Sequence, residues 1–73
     1  MKKFNEEKYT AKENSTLCEK ICFYDEIIQT KKISQPAAIH MTSKLKELLD
    51  IATDADARYS IVQLIKALKP IAS

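Results

Sequence analysis

The sequence predicts an all-α fold, a small three-helix bundle with antiparallel neighbours, extended at its N-terminus by a short extra helix or arm. Three observations predict it. The 73 residues contain no glycine, where average usage would supply roughly five. Three segments each carry their apolar residues on one side at the 3.6-residue period. The short joints between them hold capping residues and proline, and lack the glycine that hairpin turns need.

Length and composition bound the molecule further. A chain this short makes one domain and buries only about 60% of its unfolded surface, so its stability is marginal. Apolar residues make up 45% and charged residues 30% of the chain, a balance that argues against wholesale disorder. No run of about 18 apolar residues offers a membrane span. Residues 1–13 alternate charge without an apolar core, so they do not read as a secretory signal. Cys18 and Cys22 are too few for a disulfide scaffold, and one helical turn separates them in poor bridging geometry. They read as free thiols in a reduced, cytoplasmic setting.

The elements follow in order. Residues 1–13 form a polar arm or an extra helical turn, with Phe4 and Tyr9 its large apolar groups. Residues 14–73 form one helical domain. The first helix spans about 16–32. Thr16 with Glu19 fits a capping box better than Thr10 with Glu13, because Asn14, Ser15 and Thr16 suit caps and not helix interiors. Leu17, Ile21, Tyr24 and Ile28 share its core face, with Cys18 and Cys22 on one flank and Phe23 and Ile27 on the other. Lys31 and Lys32 close it favourably for the helix dipole. Pro36 then disfavours helix in the residue before it and starts the second helix, about 36–52. Its stripe is Ala38, Met41, Leu45, Leu48, Leu49 and Ala52. His40 and Ile39 fall on the opposite, polar side, and His40 reads as a solvated surface residue. Thr53 or Asp54 caps the third helix, about 55–69, whose stripe is Ala57, Ile61, Leu64, Ile65 and Leu68. Pro70 is expected to end it.

Chemistry is sparse. Two cysteines and one histidine fall short of the four ligands of a structural zinc site, so no metal or cofactor is expected. Neither cysteine has an oriented base at a known spacing, which leaves no catalytic residue to name. The second and third helices could make a helix-turn-helix, and a nucleic-acid-binding regulator is one alternative function. The third helix, however, begins Asp54-Ala55-Asp56-Ala57-Arg58, with carboxylates where phosphates would approach. Net charge is +2 and spread as +1, 0, 0 and +1 over residues 1–13, 14–33, 34–52 and 53–73, without a basic stripe.

The remaining signal is apolar surface beyond the stripes. Phe23 and Ile27 lie together on one flank of the first helix. Tyr59 and Val62 lie on the far side of the third. Tyr and Phe favour interfaces, and two adjacent large apolar groups seldom stay exposed without a role. The arm, through Phe4 and Tyr9, is the competing cover for them. The expected function is therefore non-catalytic binding to another protein, as an adaptor, inhibitor, chaperone-like or immunity-type protein. The expected contacts are Phe23, Ile27, Tyr59 and Val62, rimmed by Lys20 and Arg58. Self-association as a homodimer is a further alternative. In size and helical class the chain is similar to the small immunity proteins of Gram-positive bacteriocin systems, with no shared motif.

Overall fold

The helices begin where the capping residues stand. In the computed structural model, which describes residues 5–73, helix α1 spans Leu17–Thr30, α2 spans Gln35–Ile51 and α3 spans Ala55–Ala72. At the head of α1 the Glu19 amide donates to Thr16 Oγ1 at 3.2 Å. The Thr16 amide donates back to Glu19 Oε1 at 2.8 Å. This reciprocal box satisfies two helix-end donors at once. The bond from the Thr16 amide, then that with its side chain, hold the Glu19 carboxyl below the usual carboxylate range. A lowered carboxyl value stabilises the fold above the unfolded-state value, and that contribution is lost as pH falls through the folded one. Thr16→Ala is expected to cost about 1 kcal/mol in urea melts and to flatten the acid limb of the stability curve.

The chain turns twice without left-handed backbone, and no described residue has positive φ. Helix α1 leaves through Lys31 at φ −118°, ψ 150°, and α2 leaves through Ala52 at φ −75°, ψ 129°. Each extended exit runs within a few residues into an extended N-cap. Ser34 Oγ accepts from the Ala37 amide at 3.4 Å, and Asp54 Oδ2 accepts from the Ala57 amide at 3.0 Å. Pro36 sits in the first turn of α2, where its missing N–H goes unmissed.

Pro70 does not stop α3, contrary to expectation. The helix runs two residues further, to Ala72. Proline near a helix end forfeits one amide bond, and here the ring points outward from an exposed position. The Ser73 amide and hydroxyl, at 3.1 and 2.8 Å, both donate to the Lys69 carbonyl and close the last turn.

Helices α2 and α3 are the main pair. Gln35 Nε2 donates to the Ala72 carbonyl at 3.2 Å, so the start of α2 meets the end of α3 and the two run antiparallel. Met41 and Leu45 from α2 meet Ile61 and Leu68 from α3 as the most completely buried large side chains. Helix α1 lies chiefly across α3 and touches α2 much less.

The arm fills the space beside α2. A 3₁₀ turn, Glu6–Tyr9, packs on that helix. Just beyond it, Ala11 is buried in the core, with Tyr9 against it. The Ala11 amide donates to Tyr24 Oη of α1 at 3.1 Å. This segment is thus part of the fold, while Phe4 lies outside the described residues. The arm also corrects the reading of His40 as solvated. The ring is half-buried, with Nε2 2.6 Å from Thr10 Oγ1. The Thr10 hydroxyl donates its one proton to the Glu6 carbonyl at 2.7 Å, so the imidazole Nε2–H is the donor to Thr10.

Ile27, expected at the surface, is a core residue. Helix α1 packs chiefly on α3, and its buried residues are Tyr24 and Ile27, which carries the buried arc beyond the expected stripe. Ile27 is only 5% exposed. Phe23 is half-buried and meets the Tyr24 ring edge-on, centroids 5.3 Å apart at 82°, a favoured aromatic geometry. Displacing the buried arc toward Phe23 and Ile27 leaves the opposite flank, that of Cys18 and Cys22, uncovered.

Candidate functional site

That uncovered flank forms one wall of an open groove of ≈ 690 Å³ between α1 and the N-terminal half of α3. Its apolar surface comes from the half-buried Leu17 and Ile21 on α1 and Ala57 on α3, over the buried Leu64. Cys18 and Cys22 stand one turn apart along its edge, both exposed and unbridged. Tyr59, the aromatic group on the α3 side, is 66% exposed.

The charges around the groove are all of one sign. Asp25, Asp54 and Asp56 line it, and among the described residues no lysine or arginine does. Local chemistry places two of them. Asp54 is the N-cap of α3, and Asp56 lies in its first turn, where the helix dipole favours anions. The nearby cation is engaged elsewhere. Arg58 Nη1 donates to the Leu49 carbonyl at 2.8 Å and the Ala52 carbonyl at 3.0 Å, capping the end of α2. The groove therefore carries a negative rim in a chain whose net charge is +2.

The six expected contact residues separate. Tyr59 lines the groove, whereas Ile27 is interior and leaves the contact set. Phe23 is half-buried against the core. Val62 and Lys20 are half-buried and outside the groove lining. Arg58, expected as a rim charge, has its guanidinium bound to backbone carbonyls of α2. Leu17, Ile21 and Asp25 were not singled out as contacts by pattern, because Leu17 and Ile21 read as core stripe. The signal in the sequence is that Cys18, Cys22 and Asp25 fall along one flank of α1 at helical spacing.

Among the described residues no three His, Cys, Asp or Glu side chains gather closely enough to hold a metal ion. The groove offers thiols and carboxylates without a histidine, whose ring is held by Thr10 under the arm. A smaller hollow of ≈ 360 Å³ between α2 and α3 is lined by Thr42, Lys46, Ile65 and Lys69 among others. No described helix is long and apolar enough to cross a membrane. Comparison with protein-family models, curated proteins and solved structures finds no match.

Proposed function

We propose that this protein is a non-catalytic binding module that holds a segment of a partner protein in the groove between α1 and α3. The observation that carries this reading is the groove itself, an apolar trough edged by an exposed tyrosine. Apolar docking supplies the free energy, and the polar rim supplies orientation. An adaptor, inhibitor, chaperone-like or immunity-type role uses such a surface equally well. The carboxylates at the head of α3 weigh against the alternative in which that helix enters a DNA groove.

The two cysteines make the test direct, because they are the only thiols in the chain and both line the groove. The full chain is used to capture proteins from its native host, before and after both thiols are capped with a bulky maleimide. A partner recovered by the free chain is expected to be lost by the capped chain. The Cys18→Ser/Cys22→Ser double variant is expected to retain it with or without the reagent. Circular dichroism checks that capping leaves the helices intact. Recovery that capping leaves unchanged would remove the groove from the function.

A further inference from the structure

The geometry points to the chemistry of the occupant: we propose that the groove takes a cationic amphipathic helix, its apolar stripe on Leu17, Ile21 and Ala57 and its lysines or arginines toward Asp25, Asp54 and Asp56. This rests on the reading of the groove as a docking site and adds the partner's class. Size sets the form. From Leu17 to Asp25 one wall is about 12 Å long, and from Asp54 to Leu64 the other is about 15 Å, at 1.5 Å per helical residue. That length matches about ten residues of helix, or three turns. A third helix lying on α1 and α3 would bury its stripe as α2 does elsewhere in this fold, by ridges meeting grooves.

Charge sets the sign. Among the described residues the lining contains three carboxylates and no cation, although lysine and arginine outnumber aspartate and glutamate 12 to 10 in the chain. Arg58, the basic residue nearest in sequence to these aspartates on α3, is turned toward the end of α2. An anionic segment would meet three like charges at close range, and a neutral one would leave them facing apolar surface. A helix with basic residues flanking its stripe meets both the floor and the rim. These pairs are exposed, so their effect is felt as orientation and salt dependence more than as bulk affinity.

The test uses the full chain and two synthetic helices of roughly 14 residues, long enough to hold helical structure. One is built of Leu and Lys, the other of Leu and Glu with the same apolar spacing. A tryptophan in each peptide reports binding, since the protein has none. Protection of Cys18 and Cys22 from iodoacetamide reports the place of binding. The Leu/Lys helix is expected to bind and to slow alkylation of both thiols by roughly tenfold at saturation, because access governs thiol reactivity. Asp25→Asn/Asp56→Asn, which spares the Asp54 cap, is expected to weaken it by roughly three- to tenfold. Glu47→Gln, on α2 and outside the lining, is the control and should leave affinity unchanged.

Three outcomes overturn the proposal. Equal or tighter protection by the Leu/Glu helix keeps the groove as a docking site but rejects a cationic occupant. Binding of the Leu/Lys helix without thiol protection places it elsewhere. Thiols that become protected as the chain alone is concentrated show a second copy in the groove. The maleimide capture experiment stands apart from all three, so loss of the cationic helix and loss of the docking site are distinguishable.

Discussion

Replacing Ile27 by alanine is expected to lower stability by about 2–5 kcal/mol, the usual cost of emptying an isoleucine site in a packed core. A domain of this size has only about 4–11 kcal/mol in total, so the urea midpoint should fall steeply or the chain should unfold. The reason is position. Ile27 is 5% exposed and belongs to the core that Tyr24 and Ala11 share. Tyr59→Ala is the counterpart, removing a larger side chain that is 66% exposed. Its effect on stability should stay within about 0.5 kcal/mol, while its effect on binding should be the larger of the two. The reverse result, a harmless Ile27→Ala, would return that flank of α1 to the surface and remove the reason for the groove on the other side.

Tyr24→Phe is expected to cost about 1–3 kcal/mol although it changes a single oxygen, because the buried Ala11 amide loses its acceptor. The ring stays, so its packing against Phe23 and the core stays with it. The loss should concentrate in the arm, with the Ala11 amide exchanging hydrogen faster than amides of α2 and α3. The same oxygen carries a pH signature. Burial pushes the Tyr24 phenol above its ordinary value, the bond from Ala11 pulls it back in part, and the charge on Glu47 raises it. A phenol raised in the folded state leaves stability intact below the unfolded value of about 10 and erodes it as pH rises through the folded value. Tyr24→Phe should lack that component of alkaline destabilisation. A variant as stable as the parent at neutral pH, with Ala11 still protected, would mean that the arm is held by something other than this bond.

These two residues also mark where the sequence is legible and where it is not. Helix starts are legible because a cap acts within one turn. Thr16 with Glu19, Ser34 before Pro36 and Asp54 before Asp56 each satisfy their own amides, whatever packs nearby. The stripes of α2 and α3 are legible for a related reason, since each helix buries one face against the other. Pro70 reads as a stop and is not one, because a proline penalty depends on what the last turn has to lose, and near the end of α3 that is little. His40 reads as solvated and is half-buried, because its partner Thr10 lies thirty residues away in the chain.

The sequence by itself determined that the chain is helical, that it turns twice without glycine, and which faces of α2 and α3 meet. All three follow from local chemistry: caps, proline and the 3.6-residue period. Only the tertiary structure decided how α1 is rotated. Its apolar residues span both Leu17–Ile21 and Phe23–Ile27, so periodicity permits more than one buried arc. In the structure Tyr24 and Ile27 face inward, and the Ala11 amide of the arm bonds Tyr24 Oη. That choice draws Ile27 inside, opens the flank of Cys18 and Cys22, and sets three aspartates from two helices around one groove. Residues so far apart in the chain share a surface through packing alone.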